Sequence, residues 1–497
     1  MIQVNGLDVE PIIGLEIHVQ LATRTKMWCN CPLEFGAQPN TRVCPVCLGL
    51  PGALPVMNRL AFEYSVRTAL ALHCKIAGFT KWDRKSYYYP DLPKNYQISQ
   101  YDLPLSHDGM FEFPFEDRIA RVRILRAHLE EDAGKNVHDF PGFSGVDLNR
   151  AGTPLLEIVT QPDLHSADEA REFAVQLHRL VRYLGVSEAD MQKGHMRFEP
   201  NINVRIRRDG TTYATPIVEV KNLNSFRSLH GAVAFEIPRQ VEAWQATGVT
   251  AESGNKSNRG WDDEREVTVA QREKEEAHDY RYFPDPDLVP VTTDAAWIAN
   301  LNEHMPELPI PRTERLICEY KVPSTEAPAL VEDRASADLL DHAAEAGGDK
   351  LTLGKHFLSF WARHANDRGT TIAELGVSAP RLAELASLQA DGTVNATAAA
   401  QIAEQMLDDT EMPGEIAKRL GLLQSRDEDQ IATWVDDALA HPSNQKAIQD
   451  AISNPKKLKA ARGFLTGQVM KLSGGQADPK IVGQLIEQRL SDRVESD

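Results

Sequence analysis

The feature that most constrains the fold is a change of texture near residue 290 of this 497-residue chain. Before it, short segments alternate apolar and polar residues between Pro and Gly punctuation: residues 15–21, 87–89, 120–129, 201–206 and 217–220. A period of two sends one side of each segment to a core and the other to water or a site, so these read as half-buried, mainly antiparallel strands. Two helical patterns interrupt them. Residues 58–72 carry apolar side chains at helical spacing. Residues 166–184 open with Ser-Ala-Asp-Glu, a capping box, and continue with the stripe Phe173, Leu177, Leu180, Val181 and Leu184. The polar stretch 248–271 reads as an exposed loop. Beyond prolines at 284–290 and 306–311, Ala, Leu, Glu and Gln dominate and caps are frequent, which predicts helices. The expected fold class is α+β, with a mainly antiparallel β-sheet domain with helices at 1–295. An all-α domain at 296–425 and a small all-α tail at 426–497 follow.

Apolar runs in the chain fall short of the roughly 20 residues needed to cross a bilayer. The first residues lack a basic segment leading into an apolar one. The cytoplasm is the expected compartment, and no membrane partner is expected. The formal net charge of −18 argues against a chain devoted to binding nucleic acid. Residues 443–489 run the other way. Eight basic residues (Lys446, Lys456, Lys457, Lys459, Arg462, Lys471, Lys480, Arg489) outnumber three acids, Asp450, Asp478 and Glu487. That stretch leaves room for a polyanionic partner.

Chemistry-bearing residues concentrate in the first part. In residues 15–21 (LEIHVQL), a strand turns Leu15, Ile17, Val19 and Leu21 one way and Glu16, His18 and Gln20 the other. This is either a solvent-facing edge or a ligand platform. Residues 130–132 are three consecutive acids, which are either solvated or neutralised by a cation. Oxygen-rich clusters of this kind suit Mg²⁺, for which histidine is an unusual ligand, so His18 could act at one remove. Residues 197–203 alternate Arg197, Glu199, Asn201 and Asn203 on one face, and Glu219 and Lys221 share a face further on. Four strands that each present acids or amides on one side point to a shared site.

Four of the six cysteines fall in two close pairs, Cys29-x-Cys31 and Cys44-x-x-Cys47. In a reducing compartment this spacing matches a closed, structural Zn²⁺ site, with a redox CxxC pair as the alternative. Cys74 and Cys318 stand alone and are expected as buried packing residues. The chain has no Walker phosphate loop, no dinucleotide fingerprint and no nucleophile elbow. Residues 472–476 spell LSGGQ, a transporter-ATPase signature that needs a Walker motif opposite it, and they read here as a helix-terminating turn.

Taken in order, several long motifs resemble the B-subunit family of the aspartyl/glutamyl-tRNA(Asn/Gln) amidotransferases. They are GLEIH (14–18), the cysteine segment through CPVCLGLPG (44–52), DRKSYYYPDLPKNYQISQ (83–100), HLEEDAGK (128–135) and VDLNRAGTPLLEIV (146–159). EVKNLNSF (219–226), DYRYFPDPD (279–287), GFLTGQVMK (463–471) and GQADP (475–479) complete the series. The resemblance spans nearly the whole chain. It implies that 1–295 is a cradle-like catalytic domain with a zinc knuckle and that the tail binds tRNA. It implies a heterotrimer in which an amidase, the A-subunit, and a small protein, the C-subunit, accompany a chain of this kind. In that complex the B-subunit uses ATP and Mg²⁺ to phosphorylate the side-chain carboxylate of Glu or Asp misacylated onto tRNA(Gln) or tRNA(Asn). Ammonia from the amidase then displaces the phosphate. The chemistry is coherent, because a carboxylate is a poor acyl donor until it becomes an acyl phosphate.

Carried onto this chain, the resemblance implies Glu16, His18, Glu131, Glu199 and Glu219 as Mg²⁺ ligands, with Glu130 adjacent. Cys29, Cys31, Cys44 and Cys47 are the zinc set. Position 199 holds Glu where many members carry Asp. Lys85 and Arg150 are implied as catalytic cations, and Arg84, Lys94 and Lys221 as groups that contact the nucleotide or acceptor end.

Overall fold

The alternating residues around Glu16 form β1 (Leu7–Gln20), whose neighbours on both sides define the domain. The strands that follow are β2 (Lys75–Ile76), β3 (Ser106–Phe115), β4 (Arg118–Glu131), β5 (Pro154–Thr160), β6 (Met196–Arg208), β7 (Val218–Lys221), β8 (Ser257–Asp262) and β9 (Val267–Ala270). They run β9-β8-β7-β6-β1-β5-β4-β3-β2 in one sheet, with two further short strands, Ile2–Val4 and Thr211–Ala214, paired to β1 and β6. Every pairing along this path is antiparallel except β7 with β8. The molecule is described by a computed structural model covering residues 1–138, 140–253, 256–271, 280–425, 427–453 and 457–494. Asp279, Lys456 and residues 254–255 of the expected loop lie outside these segments. No helix among the described residues is long and apolar enough to cross a membrane.

Leu15, Ile17 and Val19 of β1 are fully buried in a core shared with Phe173, Leu177 and Val181 of α2 (Ala167–Tyr183) and Leu229 and Val233 of α3 (Phe226–Thr247). Area removed from water on this scale is the main force holding helices to sheet. The caps follow local chemistry: Asn58 accepts from Leu60 and Ala61 at the start of α1 (Arg59–Ala71), and Ser166 accepts from Glu169 at the start of α2.

Three local expectations need correction. Residues 87–89 are not a strand; the strand is Asp83–Ser86, paired with Tyr96–Ser99, and the tyrosines fall in the loop beyond that pairing, ahead of Pro90. Residues 248–271 are not simply a loop, because β8 and β9 lie within them and bury Trp261. A third long helix, α3, was hidden by Pro238, which reads as a stop yet lies inside it; Ser225 caps its start, and Gly248, at φ 69°, ends it.

Contacts divide the chain into two compact units, Met1–Ile310 and Pro311–Asp497. The second unit is helical, with Arg334–Glu345, Ala379–Ala390 and Ala396–Met406 among its elements. Toward its end, Glu428–Ala440, Gln445–Ser453, Leu458–Leu472 and Pro479–Val494 pack around their own core of Ile431, Val435, Leu465, Val469, Val482 and Ile486. The LSGGQ string closes Leu458–Leu472: Ser473 is its C-cap, and Gly474 and Gly475 both have positive φ. Cys74 is buried, but Cys318 is exposed, contrary to expectation.

Candidate active site

Because β1 is central and its partners are in register, single residues from four strands line up across the sheet. His18 lies opposite Glu157 of β5 and Arg197 of β6, and Glu157 lies opposite His128 of β4. One step along, Glu16 lies opposite Val159 and Glu199, while Asn201 pairs with Glu219 of β7. The opposite face of β1 is core, so these polar groups stand on one side, where all of them except Asn201 line a cavity of about 480 Å³. That size falls in the range of small-molecule sites.

At one end His18 Nε2 lies 3.4 Å from Glu130 Oε1 and 3.8 Å from Glu157 Oε2. The same Glu157 oxygen is 3.3 Å from His128 Nε2. Burial opposes a charged imidazole at His18, but Glu130 and Glu157 outweigh it and push the group up to about 9. Burial likewise disfavours the Glu157 carboxylate, yet His128, His18 and Lys85 together hold it well below the usual carboxylate range. The buried Glu130 Oε2 has no hydrogen-bond partner among the described residues, nor has Nδ1 of His18 or His128. One ligand atom each from His18, Glu130 and Glu157 comes within 4.8 Å of the others. Two carboxylates with an orphaned oxygen, and an imidazole that becomes a ligand once a cation displaces its proton, fit a divalent cation.

At the other end the acids are balanced by lysines. Lys221 Nζ is 2.8 Å from Glu199 and 2.6 Å from Glu219, and Lys256 is 2.7 Å from Glu219. Burial opposes the Glu219 charge, but Lys221 and Lys256 bring its carboxyl down to about 2. Asn201 donates to Glu16 at 2.9 Å, while burial and the charges on Glu157 and Glu219 push the Glu16 carboxyl up. Tyr87, Tyr280 and Tyr282 form an aromatic wall, with Lys85 Nζ 5.1 Å from the Tyr280 ring centroid.

The sequence-predicted residues therefore divide. Glu16, His18, Glu130, Lys85, Glu199, Glu219 and Lys221 line the cavity together. Glu131 does not. Strand alternation turns its side chain away from Glu130, and it accepts hydrogen bonds from Lys94 and, at 2.9 Å, from the Ile98 backbone N–H. Lys94 is committed to that buried pair. Arg84 is held by Asp285 at 2.7 Å and Asp287 at 2.9 Å. Arg150 donates to the Ala133 and Gly134 carbonyls, bracing the turn after β4 from outside the cavity. Sequence reasoning missed Glu157, His128 and Arg126 as cavity residues, whereas Arg197, read on the polar face of its strand, does line the cavity. Glu157 had a signal: it is the one acid in Pro154–Thr160, a strand with both neighbours in the sheet.

Apart from the cavity, the Sγ atoms of Cys29, Cys31, Cys44 and Cys47 also lie within 4.8 Å of one another. Cys44 and Cys47 sulfurs are 3.9 Å apart, against about 3.8 Å for two thiolates on a tetrahedral Zn²⁺. The Cys44 N–H donates to the Cys47 sulfur at 3.1 Å, which favours its thiolate. This donor set fits zinc and leaves no open position for chemistry.

Comparison with known proteins gives the family of the chain. Residues 11–299 match the GatB/GatE catalytic domain family, and residues 338–490 match the GatB domain family. The chain is 43% identical to a Moorella thermoacetica protein over 97% of its own length and 100% of the relative's. It is 42% identical to one from Thermodesulfovibrio yellowstonii, covering 97% and 99%, and 44% identical to one from Rhodopirellula baltica, covering 96% of each. All three relatives are named as the B-subunit of aspartyl/glutamyl-tRNA(Asn/Gln) amidotransferase.

Proposed function

Since the chain belongs to the B-subunit family of the aspartyl/glutamyl-tRNA(Asn/Gln) amidotransferases, we propose that its cavity activates the side-chain carboxylate of Asp or Glu carried on tRNA. Family membership makes it part of a glutamine-dependent ligase complex of protein biosynthesis, which converts misacylated Asp-tRNA(Asn) or Glu-tRNA(Gln) to the amide. In the finer reading, the substrate carboxylate attacks the γ-phosphorus of ATP, the bond to ADP breaks, and an acyl phosphate forms. Ammonia then attacks the carbonyl carbon, phosphate leaves and the amide remains. The ammonia comes from the amidase A-subunit, which the small C-subunit braces.

The observation that carries the reading is the facing of His18, Glu130 and Glu157 across three adjacent strands beside the cavity-lining cations Lys85, Arg126 and Arg197. Phosphoryl transfer needs positioning and charge neutralisation more than covalent chemistry. His18, Glu130 and Glu157 would hold Mg²⁺, which when bound neutralises charge on phosphate oxygens. The Lys221–Glu199–Glu219–Lys256 group keeps the far end of the cavity near neutral, so a charged substrate meets no net acidic wall. The sheet excludes water from below, because Leu15, Ile17 and Val19 of β1, which face the core, are buried. The four-cysteine knuckle is assigned to structural zinc and the helical tail, 426–497, to the tRNA body. Residues 311–425, helical, lie between them in sequence, and the complex is assigned to the cytoplasm.

The test is ATP turnover by the reconstituted complex with misacylated tRNA. Glu130→Gln should lose amidated-tRNA formation and keep the partner's glutaminase activity. A scaffold without its own chemistry would turn over no ATP in any form.

A further inference from the structure

Five lysine and arginine side chains line the cavity, and three have acidic partners: Arg197 lies 3.1 Å from Asp132, Lys221 bridges Glu199 and Glu219, and Lys256 pairs with Glu219. Lys85 and Arg126 are different. Neither has a hydrogen bond or ion pair among the described residues; Lys85 lies over the face of Tyr280 and is attracted at longer range by Glu130 and Glu157, and the buried Nε of Arg126 is without a partner. Arg126 belongs to β4, two residues before His128 and four before Glu130, so all three side chains stand on the cavity side. Its neighbours across the sheet, His107 and Val159, supply no carboxylate. Lys85, Arg126 and Tyr282 all line the cavity. A half-buried guanidinium whose buried Nε has no partner is costly, and proteins keep such groups where a ligand completes them.

We propose that Arg126, together with Lys85, is the oxyanion receptor of the cavity that His18, Glu130 and Glu157 also line. The planar guanidinium fork matches a carboxylate or a phosphoryl group through two parallel hydrogen bonds, and Lys85 adds a point charge. The inference rests on the function proposed above and goes beyond it, by naming the group that receives the reacting anion. That anion is either the substrate's side-chain carboxylate or the transferring phosphoryl group; both present paired oxygens.

Arg126→Met, with Arg126→Lys beside it, tests the proposal in two arms. In the full complex, the half-saturating concentration of either ATP or misacylated tRNA should rise tenfold or more for Arg126→Met and less for Arg126→Lys. A rise confined to ATP identifies the phosphoryl group, and one confined to the tRNA identifies the carboxylate. Wild-type values for both overturn the proposal. In the isolated chain, millimolar inorganic phosphate should raise the melting midpoint of the wild type but not of Arg126→Met. Without phosphate the variant should melt no lower than wild type, because it loses an unpaired charge. A variant that melts lower, or responds equally to phosphate, means that the guanidinium is structural and also overturns it. Should the wild-type complex show no ATP-dependent amidation, the functional reading fails by itself, and the phosphate arm still decides the role of Arg126.

Discussion

Replacing Glu157 by Gln keeps the volume of the side chain and removes its charge at the point where two imidazoles converge. The affected oxygen is the one 3.8 Å from His18 and 3.3 Å from His128. A hydrogen bond to a charged group contributes about 1.5–3 kcal/mol, so losing one charged contact shifts an equilibrium by roughly tenfold to a hundredfold. The loss should fall on the divalent cation. The Mg²⁺ concentration for half-maximal ATP-dependent amidation rises by that factor, while glutamine hydrolysis by the amidase does not change. Stability should move less, because losing the attraction to the imidazoles is offset by relief of Glu16, whose carboxyl Glu157 now pushes up. The assay is initial rate against Mg²⁺ concentration, with Mn²⁺ binding to the isolated chain followed by electron paramagnetic resonance. An unchanged Mg²⁺ midpoint and Mn²⁺ affinity would refute the assignment. A fall in melting midpoint of roughly 6–12 °C, equivalent to about 3 kcal/mol, would instead mark Glu157 as a structural ion-pair partner.

Cys44→Ser should lower bound zinc, measured by elemental analysis, and lower the melting midpoint; full zinc content in the variant would contradict the knuckle assignment. Glu236, fully buried on α3, accepts from Arg239 at 2.9 and 2.8 Å, from Gln240 and from Thr268, and lies 3.2 Å from Arg259. Glu236→Ala should destabilise the first unit by about 3–5 kcal/mol in urea titration, because it strands buried charge, and a change under about 1 kcal/mol would contradict that. Lys221→Met bears on acid stability. The folded Glu219 carboxyl, brought down to about 2, contributes stability that is present above its ordinary range and lost as pH falls toward 2. In metal-free buffer the variant should therefore be less stable at pH 6 and lose less on acidification to pH 3, read from urea midpoints; identical pH slopes would refute the coupling.

The sheet was legible where one face is apolar and the other polar. β1 is the clearest case, with Leu15, Ile17 and Val19 in the core and Glu16 and His18 in the cavity. Single-period reasoning failed where local chemistry and pairing disagree. Tyr87 to Tyr89 have strand propensity, yet the register of Asp83–Ser86 against Tyr96–Ser99 ends before them. Pro238 concealed α3 because helix propensity is a local quantity, whereas packing on the core is not. The adjacent acids Glu130 and Glu131 could not be separated from composition alone, because only strand register decides which one faces the cavity. Glu157 was overlooked because one acid among Leu155, Leu156, Ile158 and Val159 looks like a core strand until its partners are known. The pairing of distant strands sets the site, and that information is carried by the packed sheet rather than by any one segment.

The central claim is that this cavity turns a tRNA-borne carboxylate into an acyl phosphate. The direct measurement is to incubate the complex with ATP, Mg²⁺ and misacylated tRNA but no ammonia source, then reduce with borohydride. An acyl phosphate is reduced to the corresponding alcohol, detectable by mass spectrometry of the released amino acid. The account predicts that alcohol with the wild-type chain and its loss in Glu130→Gln. Equal yields from both, or amidation that proceeds with no trapped alcohol and no ATP consumed, would contradict it.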